Sequence, residues 1–369
     1  MKSITQSDIA RRLGVSQQTV GFALNNYRNS RMSLRPEKRQ KILETAQQMG
    51  YVPHNAARRL ARSRSDSRTT NFDQVGLVYF AVGDNDLDVS FLATMAGAEH
   101  ELSRFHASLT FIRVTGPQDW MKVEWMMHSG GEDGWFLYGE VNDDVVDRLK
   151  PGKIPYVILG DHRCTQAVPA INVDHLTMGR LAVQRLASQG HRRIGFMGGS
   201  MRFVHQQRIL QGFRAALKEF AVDEDERLIG HQTLWGGTPG RLTIEEKPEM
   251  VIQWLNSTGS MPTALFTPEV DWAVAVHRVL SQSQIRVPED VSILACEPNS
   301  QAARNQKFTR IELPIAEIGR QGVFLLHRIV SEPNVEAGEI KITPTMIEGW
   351  STCPPTGQVN PRAGRGTAV

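Results

Sequence analysis

The chain holds only three cysteines, Cys164, Cys296 and Cys353, in 369 residues. An odd, scattered set without metal-ligand spacing excludes a disulfide scaffold and a zinc-finger type of site, and fits ordinary reduced thiols. Long apolar runs are missing too. Nowhere do about eighteen apolar residues follow one another, so no membrane-spanning helix is expected. The opening stretch MKSITQSDIARRL lacks the apolar region of a secretory leader, which predicts a cytoplasmic protein. There is no Walker loop, no nucleophile elbow and no metal-spaced cluster of His, Cys, Asp or Glu. Gly198-Gly199-Ser200 is glycine-rich but has neither the lysine nor the spacing of a phosphate loop. The expectation is therefore a protein that is not an enzyme and carries no cofactor and no metal. No internal repeat at a fixed period is present.

Charge, by contrast, is plentiful and unevenly placed. Residues 1 to 68 carry fourteen Lys or Arg against four Asp or Glu, a net +10, and the chain as a whole is only +3, so the remainder is at −7. A basic head on an acidic body suits one end that meets a polyanion and another kept away from it.

That basic head begins with ITQSDIARRLGVSQQTVGFALN, Ile4 to Asn25. Thr5 can cap a first helix, with Asp8 three residues on reaching back to the exposed amide. Ile9, Ala10 and Leu13 recur at helical spacing, Gly14 permits a left-handed turn, and Ser16 can cap a second helix. The second helix offers Gln17, Gln18 and Thr19 on its first turn while Val20, Ala23 and Leu24 face inward. Short polar side chains there suit base edges in a major groove, and glutamine can bond adenine with both groups of its amide. The spacing alone also fits any small helical pair with a solvated polar face. A third helix follows from Ser33 and Pro36, with Ile42, Leu43, Ala46 and Met49 as its apolar stripe and Gly50 at its end.

Tyr51-Val52-Pro53-His54-Asn55-Ala56-Ala57-Arg58-Arg59-Leu60-Ala61-Arg62-Ser63 comes next. With it, residues 4 to 63 resemble the DNA-binding head and hinge helix of the LacI family of bacterial transcription regulators. The resemblance implies a helix-turn-helix domain over 1–53, a hinge helix and linker over 54–73, and a pseudo-palindromic operator bound by a homodimer or higher oligomer. It implies DNA contacts from Thr5, Ser16, Gln17, Gln18, Thr19, Phe22, Asn25, Tyr51, His54, Asn55, Ala57, Arg58 and Leu60. Leu60 matches the hinge leucine that wedges into a minor-groove step, and Ala57 lies where two hinge helices meet. The chain departs from the family in several places: Gly21-Phe22 replaces the usual Ser-Arg, His54 replaces asparagine, and the loop Asn26 to Met32 is longer.

From Gln74 onward, short apolar runs alternate with amphipathic stretches, the pattern of parallel α/β units. Strands are expected at Val75–Phe80, Leu109–Val114, Trp135–Tyr138 and Tyr156–Leu159, with helices at Phe91–Leu102, Trp120–His128 and Val145–Leu149. The segment Ile171 to Gly199 resembles the family stretch in which an aspartate and a glycine open a helix, a Gly-His-Arg-Arg turn closes it and a strand follows. Here these are Asp174, Gly179, Gly190 to Arg193 and Ile194 to Met197, and His191 reads as a helix-end residue. The implied fold is multidomain: an all-α head and hinge, then a two-lobed α/β periplasmic-binding-protein-like effector domain over 74–353. Lobe one is expected at about 74–168 and 301–334, lobe two at about 169–300 and 335–353, and a disordered tail at 354–369. Ile340 to Thr343 is expected to return the chain to lobe two. Ile315 to Val330, with Ile318, Gly319, Val323 and Leu326 on one side, resembles the family's subunit-interface helix and equally fits a core helix.

An effector held between the lobes, of the sugar or sugar-derivative class, is expected to meet Asp161, Arg208, Trp235, Glu269, Asp271 and Glu297. Each of these lies at or near a family cleft position. Several are altered: Gly160 precedes Asp161 at the usual place, Ile209 replaces the cleft arginine, Glu269-Val270 replaces Asn-Asp, and Ala295-Cys296-Glu297 replaces Gly-Phe-Asp. Trp235 lies in the glycine-rich LWGGTPG, where an aromatic face would stack on a sugar. These readings point to a repressor whose DNA affinity is set by a small polar effector. The rivals are a regulator of the same architecture that senses a non-sugar ligand or none, and, remotely, an α/β enzyme or a solute-binding protein. Replacing Leu60 with alanine is expected to weaken specific DNA binding far more than non-specific binding, because the bend loses its insert; a gel-shift comparison of selected and random duplexes checks this.

Overall fold

The computed structural model describes residues 4–24, 34–49, 51, 72–81, 89–129, 131–231, 249–297, 307–332, 335–336 and 338–356. The head has three helices, α1 (Gln6–Leu13), α2 (Gln17–Leu24) and α3 (Pro36–Gln48). Thr5 and Asp8 form the expected capping box, and Gly14 ends α1 in the left-handed conformation at φ 63°. Ile9, Ala10, Val20, Ala23, Leu24, Ile42 and Ala46 make the head's own core, with Leu13, Val15, Leu43 and Met49 half-buried around it. The hinge segment and linker, 52–71, lie outside the described residues.

The body contains β1 (Gln74–Phe80), α4 (Val89–Arg104), β2 (Ser108–Val114), α5 (Pro117–Ser129), β3 (Gly134–Gly139), α6 (Asp143–Leu149), β4 (Tyr156–Leu159) and β5 (Ala170–Val173). It continues with α7 (His175–Ser188), β6 (Ile194–Gly198), α8 (Val204–Glu219), β7 (Ile229–His231), α9 (Glu249–Ser257), β8 (Ala264–Thr267), α10 (Val270–Gln282) and β9 (Ser292–Glu297). Last come β10 (Arg310–Glu312), α11 (Ile315–Ser331), β11 (Glu339–Ile342) and β12 (Thr345–Ile347). Two six-stranded sheets result, ordered β11-β5-β4-β3-β1-β2 and β12-β10-β9-β8-β6-β7. β1 pairs in parallel with β2 and β3, as β6 does with β7 and β8. Parallel neighbours need crossover helices, and these bury the strands on both faces. Leu77, Val78, Phe136, Leu137, Val157 and Ile158 in one sheet, and Phe196, Leu265, Phe266 and Ile293 in the other, are accordingly almost completely buried.

Two compact units divide the chain at 84/85, 97/98, 170/171, 319/320 and 339/340. This differs from the expected lobe bounds around 301–334. β10 pairs with β9 and β12 in the second sheet, so the change of unit falls inside α11 rather than before it. A three-residue strand offers too short an alternation to be seen beforehand. The last segment of the second unit begins at Ile340, as expected, although β11 still pairs at the edge of the first sheet and β12 is the strand that joins the second. The expected face of α11 is core, with Ile318, Val323 and Leu326 buried. A methyl group on Gly134 would come 2.8 Å from Leu326 Cδ1. Phe324, on another side of α11, is 43% exposed.

Nor does the tail begin at 354. Thr356 Oγ1 donates to the Glu289 carbonyl at 2.6 Å, closing a strap that runs over the second unit from Ser351. Ser351 Oγ donates to Ile293 O and accepts from Thr309 N, at 2.6 and 2.9 Å. His191 is buried and bonds Thr263 Oγ1 and the Cys353 carbonyl, both at 2.9 Å, so this helix-end residue is also the buckle of the strap. Proline-rich composition does not signal disorder when side chains elsewhere satisfy the extended backbone. Residues 357–369 lie outside the described set.

Within the second unit, α7 and α8 touch backbone to backbone. A methyl group on Gly212 would stand 2.1 Å from Leu176 O, and one on Gly179 2.2 Å from Ile209 O. Gly212→Ala is expected to cost about 1–3 kcal/mol by overpacking, read as a lower urea midpoint of the full chain. Acidification should act on the same unit. Burial holds the imidazoles of His191, His231 and His277 below their usual range. The unfolded chain takes up protons near pH ~6.5 that these partly or fully buried rings refuse. Their contribution to stability is therefore complete above that pH and is lost as pH falls below it, an outcome that unfolding curves at neutral and mildly acid pH will show.

Candidate nucleic-acid interface and effector site

The N-terminal turn of α2 is a short, well-capped platform. Ser16 Oγ accepts from Thr19 N at 3.1 Å and lies 2.7 Å from Thr19 Oγ1. Gln17 and Gln18 are exposed, and Thr19, Gly21 and Phe22 are half-exposed. Ser7 on α1 donates to Gln17 Oε1 at 3.1 Å, which fixes one glutamine against the other helix and leaves Gln18 with no such tie from Ser7. Arg11, Arg12, Arg35, Lys38 and Lys41 are exposed around this turn's small domain. Thr5 is occupied as the cap of α1, its Oγ1 bonding Asp8 Oδ2 at 2.6 Å. Tyr51 is half-buried against the head core, with its amide on Ala46 O at 3.0 Å. Asn25, His54, Asn55, Ala57, Arg58 and Leu60 lie outside the described residues.

In each body unit the strands of the parallel sheet finish together, and open α/β sheets bind ligands at that edge. In the first unit, Tyr79 and Tyr138 are direct register partners on β1 and β3, and their rings stack at 5.6 Å and 27°. Gly160, at φ 89°, ends β4 beside Tyr138. Asp161 follows it and is half-buried. The loop that carries Asp161 is fastened by Asp143, which accepts from Thr165 Oγ1 at 2.6 Å, Thr165 N at 3.1 Å and Gln166 Nε2 at 3.0 Å. These bonds, from Thr165 first, hold the Asp143 carboxyl down at about 2.

In the second unit, Gly198-Gly199 leads from β6 toward α8, and Pro268-Glu269 leads from β8 into α10. Gln206 is completely buried on α8 and donates to Glu269 Oε1 at 2.6 Å. The Trp272 side chain is a second hydrogen-bond donor to that carboxyl, which burial pushes above its usual range. His205 stacks on Phe203 at 5.6 Å and leans toward His175 of α7 at 5.7 Å. Arg208 is half-buried and Asp271 exposed on the first turn of α10. Glu297 ends β9, and nothing is described of its side chain. Trp235 lies outside the described residues. Among the described residues no group of three or more His, Cys, Asp or Glu is arranged to hold a metal ion, and no helix is long and apolar enough to cross a membrane.

The sequence matches the family model of the periplasmic binding protein-like domain over residues 183–352. It is 24% identical over 352 residues to catabolite control protein A of Priestia megaterium, covering 94% of this chain and 98% of that one. Over nearly its whole length the chain is thus similar to transcriptional regulators of the LacI type. Two solved structures share its fold: a transcriptional regulator CelR–cellobiose complex, with a TM-score of 0.64 and 23% identity over 94% of this chain and 99% of that one, and a lac repressor dimer bound to operator and the anti-inducer ONPF, at 0.63 and 17% over 95% and 100%. The expected architecture, a helical head followed by two α/β units built on mainly parallel sheets, is thus the one present, and the relatives it resembles are transcriptional regulators.

At the edge of lobe two, Gln206 of α8 meets Glu269, with Asp271 close by on the first turn of α10, while Arg208 lies further along α8. Ile209, which stands where the family's cleft arginine is usual, is fully buried against α7. Sequence reasoning missed Gln206, His205 and His175. One signal was available for Gln206: it sits three residues before Ile209 and seven before Phe213, on the apolar stripe of α8, where a polar side chain needs a partner. His175 and His205 had none, since their meeting depends on how closely α7 approaches α8.

Proposed function

We propose that the protein is a cytoplasmic, homodimeric repressor that reads a pseudo-palindromic operator through α2 and the hinge, and whose DNA affinity is set by a small polar effector. The observation that supports this most is the capped first turn of α2, with Gln17 and Gln18 exposed on a compact head whose segment carries a net +10. Gln18, Phe22 and the pre-set Gln17 read bases, while Thr5, Ser16, Thr19 and the exposed arginines and lysines position the head on phosphates. Asn25, Tyr51, His54, Asn55, Ala57, Arg58 and Leu60 continue the contact into the hinge. A second copy would pack on the apolar surface of lobe one. Leu109 and Phe111 on edge strand β2, with Phe324 on α11, are exposed there at 37%, 45% and 43%.

The effector reading rests on Asp161 at the strand ends of lobe one and on Arg208, Glu269, Asp271, Glu297 and Trp235 of lobe two. A sugar is the first choice, since the CelR structure holds cellobiose. A non-sugar ligand is the second, favoured by one observation: Ile209 is core, so the guanidinium usual at that place is replaced by a side chain that cannot reach a ligand. Effector and DNA must then influence each other by the same factor.

Selection of duplexes from a random pool with the full chain tests the regulator reading, the expected product being a two-fold symmetric site. Gln17→Ala with Gln18→Ala should flatten base preference at the matching positions, each lost bidentate contact costing about 1–3 kcal/mol. Retained preference in the double variant would move the reading to Phe22 or to the hinge.

A further inference from the structure

Helix α5 of lobe one is apolar on two sides. Trp120, Val123 and Met127 recur at helical spacing and are buried in the core of that lobe, with Trp120 tilted against Phe80 at 5.1 Å. Trp125 lies two residues from Val123 and two from Met127, so the helix turns it to the opposite side. Met121, one turn earlier on that outer side, is 53% exposed. A tryptophan so placed would ordinarily stand in solvent. Trp125 is instead half-buried, and it packs against the hydrophobic core of the head, as the head's own Leu13, Leu43 and Tyr51 do. The head and α5 fall in the same compact unit. The indole N–H of Trp125 is buried without a hydrogen-bond partner among the described residues. A donor that loses its hydration and gains no acceptor weakens the contact that covers it, so this apolar contact is one that can open. Gln17 and Gln18 remain exposed, as do Arg11, Arg12, Lys38 and Lys41. The head is thus held without its reading turn being covered.

We propose that Trp125 is a dock on lobe one for the chain's own head, an autoinhibitory contact that must open before two heads can take an operator. This rests on the reading of the protein as a dimeric DNA-binding regulator. The reading helices of such a dimer enter major grooves one helical turn apart, about 34 Å, or a multiple of it. A head seated on its own lobe keeps the position that the lobe gives it, whereas a head on the operator takes the position that the half-site gives it. Docking therefore competes with specific binding by geometry, and the fraction of heads that are free scales the apparent affinity. Charge favours the seat as well, since a head at +10 is drawn to a remainder at −7. The competing role for Trp125 is plain packing that steadies the head on DNA and off it alike.

The test uses the full chain without added small molecule and compares the parent, Trp125→Ala and Trp125→Phe for affinity toward the selected duplex and a random one. A head docked about nine-tenths of the time lowers the apparent affinity about tenfold. Trp125→Ala is therefore expected to bind the selected duplex about tenfold more tightly than the parent, with a smaller change on the random duplex. Trp125→Phe keeps an apolar face and drops the unpartnered donor, so its affinity should stay at or below that of the parent. A second readout is fluorine NMR with 5-fluorotryptophan in place of all seven tryptophans. The Trp125 signal is identified by its loss in Trp125→Phe, and its shift between H2O and D2O reports exposure. The expected signal is shielded in the free protein and exposed with saturating selected duplex. A signal exposed without DNA, or shielded in both states, overturns the inference. An affinity for the selected duplex that Trp125→Ala leaves unchanged or lowers assigns Trp125 to plain packing and overturns it too, with the regulator reading intact. Selection that enriches no duplex with either the parent or Trp125→Ala overturns the regulator reading and the inference with it, even where the fluorine signal is shielded.

Discussion

The backbone contact between α7 and α8 governs the second lobe. With Gly179 facing Ile209 O and Gly212 facing Leu176 O, the helix axes approach more closely than any pair of side chains would allow. The starts of both helices are drawn together by it, which is why His175 and His205 meet, why Ile209 is sealed into the core, and why Gln206 is turned toward the end of β8. Specific polar geometry at the sheet edge is thus a consequence of two missing methyl groups some distance away.

The first lobe reaches a comparable edge by other means. Strand register alone stacks Tyr79 on Tyr138, and the Asp143 carboxylate ties down the loop after β4 through four groups of Thr165 and Gln166. One lobe is organised by helix packing, the other by register and a side-chain latch. The acceptor-rich pair Gln206–Glu269 also differs in kind from the aromatic pair, and it is the more sensitive to small change, because buried polar groups lose more than apolar ones when a partner moves.

Much of the fold was legible wherever local chemistry and pattern agreed. Thr5, Asp8, Gly14 and Ser16 announced the caps and turn of the head, and the near-continuous apolar runs at Val75–Phe80 and Tyr156–Leu159 announced buried parallel strands. What escaped was set by long-range packing. β10 is too short to carry a period, the Pro354–Thr356 segment has the composition of a tail but is bound by Glu289, and the buried amide that holds Glu269 comes from a helix more than sixty residues earlier. Among candidate site residues, Glu269 and Arg208 were singled out because they replace or neighbour positions with a role in the family that the chain resembles. Gln206 was passed over because a single amide on an apolar stripe looks like an interruption until its partner is in view.

The strap that buckles at His191 also gives the chain a temporal order. The head is finished with the first fifty or so residues and has a core of its own, whereas the second lobe requires Ser351 and Cys353 against Ile293 and His191 before its polar groups are satisfied. A ribosome delivers these parts in sequence, N-terminal first. The head, proposed above to read DNA, is therefore complete long before the second lobe, and on that proposal control over binding is the last property the nascent protein acquires.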